Sequence, residues 1–409
     1  MALTRSKIKA GRESGGTGRP DMFLVLLISA LLVFGLIMIS SASVVMSKTG
    51  TGQENFYFFS QLQAAGIGLV LLYIASRIDF RFWKKLALPF FLVNFAMLVA
   101  VFVPGLSFSH NGATRWINLG IINFQPSESI KLALILFLAY WLEKKGDDIH
   151  DLYKGVLPFA AIAGSVVGLV LLQPDMGTCT VLAATAGVMF FVAGARLRHV
   201  LAALSAGIAA LVLLIKMAPY RMARLTIFLH PATDKSGAGY QISQALLAVG
   251  TGGIWGLGFG RSRQKFNYLP EAATDSIFAV ISEELGLIRA SLVVVVFLLF
   301  GVRGYKIAKG APDTFSRLTA TGITTWVVAQ AFINILAILS LMPLTGVPLP
   351  FISYGGTSLV MILFACGILL SISRHVDQGG MDANSRLGRW NWRSYFASAG
   401  SRRRAAKAR

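Results

Sequence analysis

The stretch 268–286, reading YLPEAATDSIFAVISEELG, puts four carboxylates where a polar loop runs into an apolar helix: Glu271, Asp275, Glu283 and Glu284. Asp275 stands at the mouth of that helix, one turn after Glu271. A carboxylate that is partly desolvated and near a second carboxylate has its pKa raised toward the range a general base needs. The same place also suits plain capping, because Thr274 or Asp275 can accept from an orphan amide of the first turn and negative charge is favoured at a helix N-terminus. Glu283 and Glu284 follow further down the same helix. In a membrane-spanning helix, charge is kept mainly for function or for a specific pairing. Adjacent residues point in different directions, so the two are expected to do different jobs, with pairing inside a bundle the plain alternative for both.

A second set of polar residues lies at or near the ends of apolar stretches: Arg115, Gln125, Glu128, Lys131, Asp175, Arg261 and Lys265. Glu128 and Lys131 are three apart on one helix, share a face and can pair. That pair is either a structural tie or half of a site for a polar headgroup. Asp175 follows a proline and opens an apolar run, the position of an N-cap. Arg115, beside Trp116, can anchor at the membrane interface or grip a phosphate with its planar guanidinium. The glycine-rich run 250–260 fits neither GxGxxG nor GxxxxGK[ST], so no nucleotide is expected; its glycines suit a tight re-entrant or interfacial backbone. The five His are scattered without an HExxH motif, which argues against a structural zinc. Cys179 and Cys366 fall in apolar runs and read as small buried hydrophobes.

The elements that must position these groups are membrane helices. Hydrophobic residues make up 55% of the 409 and charged residues only 14%, with mean hydropathy +0.66. A soluble domain carries about 25% charged residues. Apolar runs of roughly 20 residues recur, each able to cross about 30 Å of hydrocarbon. The expectation is an all-α integral membrane bundle of about ten helices, at 22–45, 57–75, 86–103, 128–142, 156–172, a sixth from the 173–178 turn to 193, then 200–215, 275–302, 318–341 and 357–372. Residues 1–21 read as a basic, disordered cytoplasmic tail, 22–373 as the membrane domain, 216–274 as its one long extracytoplasmic loop, and 374–409 as a second basic cytoplasmic tail. Lys and Arg mark the termini and short loops of one side, as the positive-inside rule expects. The net charge of +20 is therefore assigned to membrane lipid headgroups and not to nucleic acid. The positives of the long loop, Arg221, Arg224, Arg261, Arg263 and Lys265, call instead for an anionic ligand. The first apolar run is too long for a signal-peptide core.

Five motifs together resemble the SEDS family (shape, elongation, division and sporulation proteins): GATRWI at 112–117, QPSE at 125–128 with Lys131, QPDMGT at 173–178, YLPEAATD at 268–275 with EELG at 283–286, and PLPFISYGG at 348–356. The resemblance runs from about 22 to 375 and leans to the cell-division branch, with the elongation branch close behind. It implies a peptidoglycan glycosyltransferase that polymerises lipid II at the outer face of the bacterial inner membrane, at the septum. By motif, Asp275 matches the family's essential aspartate, Glu271 its neighbouring glutamate, and Arg115 and Lys131 positions of substrate handling. Gln125, Glu128, Asp175, Arg261, Lys265, Ser353 and Tyr354 complete the expected substrate-binding set. The chain departs from the family pattern at Ala273 and Ser276, beside the key carboxylate. A single-span class B penicillin-binding protein and other division membrane proteins are the implied partners.

On this reading Asp275 takes the proton of an acceptor sugar 4-hydroxyl, whose oxygen displaces the lipid pyrophosphate of the donor with inversion. Arg115, Lys131, Arg261 or a divalent cation (Mg2+ or Mn2+) would stabilise the departing charge. Two other classes stay open: a lipid II flippase, which calls for polar residues continuous through the bundle, and a scaffold that recruits a transpeptidase.

Overall fold

The computed structural model describes residues 18–52, 55–104, 107–110, 113–118, 123–202, 205, 207, 222, 226–230, 234, 237–266 and 268–376. Within them the helices are α1 (Met22–Ala42), α2 (Val44–Thr51), α3 (Phe56–Arg77), α4 (Phe80–Ala100), α5 (Pro126–Lys145), α6 (Leu157–Leu172), α7 (Met176–Val192), α8 (Ala238–Gly252), α9 (Ile277–Lys309), α10 (Thr314–Ile338) and α11 (Gly356–Ser373). Helices suit this sequence because lipid offers no partner for a backbone amide, and a helix satisfies its own. Among the described residues seven helical stretches are long and apolar enough to cross a membrane. The 20-residue α5 and the 17-residue α7 join them as expected spans four and six. Nine of the ten expected spans thus correspond to helices; the seventh, 200–215, lies largely outside the described residues, as do Arg221 and Arg224.

α10 and α11 form the centre, with 78% of their apolar windows buried against 22–44% in the other five. α11 lies along α3, and α10 packs against α5, α7 and α9. The first and last spans meet at one side: Gly18 N donates to Arg374 O at 3.1 Å and Asp21 N to Ser373 Oγ at 3.1 Å. Asp21 also caps α1 through Leu24 N and accepts from Arg303 Nε at 2.5 Å. The end of the N-terminal tail, 18–21, is therefore an ordered strap and not a disordered segment; residues 1–17 and 377–409 lie outside the described residues.

Several elements differ from expectation. The loop 104–127 carries a three-stranded antiparallel sheet, β1 (Ser107–His110), β2 (Ala113–Asn118) and β3 (Asn123–Phe124). Its short strands are invisible to a search tuned to 20-residue apolar runs. α4 begins at Phe80, capped by Asp79, so Arg81, Lys84 and Lys85 sit in the helix and not in a turn. The long loop holds the 15-residue helix α8. α9 continues to Lys309, taking Arg303 and Lys306 into the helix, and breaks at Gly286 (φ 77°, ψ 173°). Beside the break Arg289 Nη1 donates to Trp255 O at 3.2 Å. The break sets half-helix 277–285 off from the rest of α9.

Candidate active site

Asp275 is half-buried just before α9, and it does not cap that helix. The N-cap is Ser276, without a side-chain capping bond, which corrects the expectation for Thr274 and Asp275. Residues 268–276 instead form turns that close on Glu271: Thr274 N and Ser276 N both donate to Glu271 O at 3.1 Å. Glu271 has φ 53°, a left-handed conformation unusual for a side-chain-bearing residue. Its carboxylate accepts from Thr274 Oγ1 at 2.7 Å, so Glu271 fastens the turn that presents Asp275.

Four residues then surround Asp275 and its turn. Asn334 Nδ2, on α10, donates to Asp275 O at 2.7 Å and to Val347 O at 2.8 Å. Gln241 Nε2, on α8, donates to Ser276 Oγ at 2.9 Å and stands 3.5 Å from Asp275 Oδ1. A Cβ on Gly346 would lie 3.9 Å from Asp275 Oδ2, so the carboxylate faces the loop 345–349. Tyr354 N donates to Ala273 O at 2.9 Å. Both departures from the family pattern thus have local partners, Ser276 with Gln241 and Ala273 with Tyr354.

The loop leading into α11 is the hub. Ser353 is buried, its hydroxyl accepting from Leu349 N at 2.8 Å and its carbonyl from Gln61 Nε2 at 3.1 Å. The Tyr354 ring meets Tyr57 edge-on at 4.9 Å and its hydroxyl lies 3.3 Å from Ser60 Oγ. On the other flank Gly177, at the start of α7, abuts Thr345 and Val347 so closely that a Cβ would stand 2.0 Å from Val347 Cγ2. Asp175 caps α7 as expected, accepting from Thr178 N and Thr178 Oγ1, each at 3.0 Å. Arg115, on β2, spends its fork on that turn: Nε donates to Gln173 O at 2.9 Å, Nη2 to Pro174 O at 2.5 Å, and Nη1 lies 4.0 Å from Asp175 Oδ2. Gln125 is the backbone N-cap of α5 with Pro126 behind it, and its side chain makes no capping bond.

Lys131 and Glu128 pair at 2.8 Å and are only 1% and 3% exposed. Lys131 also donates to Gln330 Oε1 at 3.0 Å and sits 5.2 Å from the centre of the Trp326 ring. Gln330 Nε2 passes the connection to Pro348 O at 2.9 Å, so this buried pair supports the hub loop from below. Glu128 Oε2 is buried without a hydrogen-bond partner, an arrangement that carries a desolvation cost and is usually kept for a reason. Lys265 is not outward-facing as expected; it is buried in a separate cluster with Glu284, Ser41 and Gly260 O. Arg261 is exposed, as is Arg263.

Sequence reasoning missed Asn334, Gln330 and Gln241. The first two are amides four residues apart, hence on one face, inside an otherwise apolar span, and polar groups there signal function. Among the described residues no three His, Cys, Asp or Glu side chains are close enough to hold a metal by themselves.

A family model described as "Cell cycle protein", covering FtsW, RodA and SpoVE, matches residues 22–378. Stage V sporulation protein E of Bacillus subtilis (strain 168) is 43% identical over 356 residues, 87% of this chain and 97% of that one. A probable peptidoglycan glycosyltransferase FtsW of Trichlorobacter lovleyi is 41% identical over 353 residues, 86% of this chain and 93% of its own. Among solved structures, a chain from a peptidoglycan synthase complex that coordinates polymerization and crosslinking superposes with TM-score 0.73 at 29% identity, over 88% of this chain and 99% of that one. The rod shape determining protein RodA of Thermus thermophilus gives TM-score 0.65 at 29% identity, over 88% of this chain and 98% of its own.

Proposed function

This chain belongs to the FtsW/RodA/SpoVE family of cell cycle proteins, and from that premise we propose that it is a peptidoglycan glycosyltransferase polymerising lipid II at the outer face of the inner membrane, in septal division, with Asp275 as general base. The observation that carries the reading is that Asp275 is half-buried, excused from capping, and held through its backbone by Asn334 and the Glu271 turn. What supports the reading is that the Asp275 carbonyl is anchored while its side chain stays partly exposed, as a group that must reach a substrate hydroxyl needs to be.

In the step, the acceptor 4-hydroxyl gives its proton to the Asp275 carboxylate. Its oxygen bonds to the donor anomeric carbon, the bond from that carbon to the pyrophosphate oxygen breaks, and undecaprenyl pyrophosphate leaves with the electron pair. Attack opposite the leaving group inverts the centre, so one base suffices. Of the cations first considered, Arg115 and Lys131 are committed to protein groups, which leaves Arg261, exposed beyond α8, to meet the pyrophosphate. A divalent cation would fit only in the manner usual for Mg2+, mainly through the substrate's own phosphates and one carboxylate; Glu271, which is not the base, would supply that carboxylate, and the ion would offset charge on the pyrophosphate. The partner is proposed to be a single-span class B penicillin-binding protein, in keeping with the synthase complex above, and the termini to be cytoplasmic, in keeping with the positive-inside pattern.

The test is lipid II polymerisation by purified wild type and Asp275→Asn with the transpeptidase present, read as glycan strands on a gel, with lipid II binding measured beside it. Loss of strands with binding retained is expected; undiminished strands from Asp275→Asn would sink the assignment. Movement of lipid II across vesicles with no strands from the wild type would transfer the case to a flippase. Chelation with EDTA is expected to slow the reaction, and restoration by Mg2+ or Mn2+ tests the cation.

A further inference from the structure

Glu283 and Glu284 take no part in that chemistry, yet they close the far end of the half-helix that Asp275 opens. We infer that they are positioning residues for Asp275: together they bolt half-helix 277–285 to the loop 253–266 and to α1, and thereby set where the base stands. The inference rests on the reading of Asp275 as the base.

The α9 break at Gly286 frees carbonyls that need partners, and Glu283, Glu284 and Gly286 are buried away from water that could serve them. The loop supplies them. Leu257 N donates to Glu283 O and Gly258 N to Glu284 O, each at 3.0 Å, while Leu287 N donates back to Gly253 O at 2.9 Å. Only glycine permits this approach: a Cβ on Gly252, Gly256 or Gly286 would come within 2.1, 2.3 and 2.3 Å of backbone atoms. The side chains then lock the contact. Glu283 accepts from Ser262 Oγ at 2.5 Å, Arg263 N at 3.1 Å and Gln264 N at 3.3 Å. Glu284 accepts from Ser41 Oγ at 2.7 Å and Lys265 Nζ at 3.0 Å, and Lys265 also holds Gly260 O at 2.8 Å. Glu283, Glu284, Ser41, Ser262 and Lys265 are all buried.

A buried network of this kind is a weak source of net stability, because desolvation offsets most of the attraction. What a fully bonded carboxylate does specify is one geometry. Half-helix 277–285 is about 13 Å long and hydrogen-bonded within itself, so it moves as a rod. A tilt at Glu284 is delivered at Asp275, and a displacement of about 1 Å at a reacting group can cost on the order of 100-fold in rate.

The experiment uses the full chain with its transpeptidase. Initial rates of polymerisation are taken against lipid II concentration for Glu283→Gln, Glu284→Gln and the double variant Lys265→Met/Glu284→Leu, which removes the buried charges as a pair. Thermal midpoint and amide hydrogen exchange at 274–279 are measured on the same samples. Positioning predicts kcat lower by about tenfold or more with KM little changed, faster exchange at the Ser276 and Ala279 amides, and a double variant that unfolds near the wild-type temperature. A double variant with wild-type kcat would overturn the inference, as would variants whose kcat falls only in step with the thermal midpoint while exchange at 274–279 stays put. If the double variant does not fold, the near-isosteric Glu283→Gln decides by the same criteria. Asp275→Asn runs in parallel: if it keeps activity, the base reading fails, while the exchange data still report whether the clamp holds the half-helix.

Discussion

Asn334 was not singled out by sequence, yet its side chain holds the backbone of the proposed base at 2.7 Å. Asn334→Ala leaves the carbonyls of Asp275 and Val347 without that donor, and an unmet buried carbonyl costs about 1–3 kcal/mol. The expected outcome is a modest drop in thermal midpoint and a fall in polymerisation rate of about tenfold, with lipid II binding preserved, since the side chain serves aim and not affinity. Lys131 makes a different prediction. Its pair with Glu128 is almost fully buried, so Lys131→Met strands a carboxylate and should destabilise by about 3–5 kcal/mol, while Lys131→Met/Glu128→Leu should recover most of that loss. Calorimetry or thermal unfolding in detergent separates the two. A double variant that is stable but inactive would give the pair a role in substrate handling beyond its tie to Gln330.

At the scale of elements, two glycine contacts decide how the site is assembled. Gly177 lets the start of α7 lie against Thr345 and Val347, and Gly286 lets the loop 253–258 dock into the break of α9. Gly177→Ala would drive a methyl to 2.0 Å from Val347 Cγ2 and 2.8 Å from Thr345 O. Overpacking of this kind costs about 1–3 kcal/mol. It should also shift the hub loop that faces Asp275, so activity should fall further than stability. Comparing thermal midpoint with polymerisation rate in Gly177→Ala tests this, and loss of both in proportion would show that the contact is structural only.

For the whole molecule, α10 and α11 are the buried axis while α1, α3, α4 and α9 keep exposed apolar faces such as Ile67, Leu92 and Leu292. Such faces are at home in lipid, and this is a multi-pass membrane protein. The Gly18–Arg374 and Asp21–Arg303 contacts bring the first, eighth and last expected spans together at one side. Asp21→Ala removes both the α1 cap and that ion pair; loss of a cap costs about 1 kcal/mol, and the pair is partly exposed, so its contribution is smaller. The expected result is a thermal midpoint lower by a few degrees with the rate per folded molecule unchanged, because the strap lies at the opposite end of the bundle from the Asp275 turn. An inactive but stable Asp21→Ala would contradict that separation.

The sequence by itself determined the class of fold and nine of the ten expected spans, and it singled out the carboxylate proposed as the base. Span length and hydropathy are local properties that lipid reads directly, and Asp275 lies in a contiguous motif. It also showed that Asp175 would cap a helix and that Glu283 and Glu284 would serve different partners, since capping and helical phase depend only on near neighbours. What tertiary structure alone decided is which polar groups are spent and which remain available. Arg115 looked ready for phosphate but is held by the carbonyls of Gln173 and Pro174, and Lys265 looked outward but is buried against Glu284. The small sheet in 104–127, the break at Gly286 and the hold of Asn334 on Asp275 also arise only in three dimensions. The sheet escapes because its strands are too short to show a pattern; for the others the physical reason is that a hydrogen bond or ion pair joining residues 19 to 243 positions apart, as at Glu284, leaves no periodicity in the chain, because it is specified by how helices pack and not by the residues beside it.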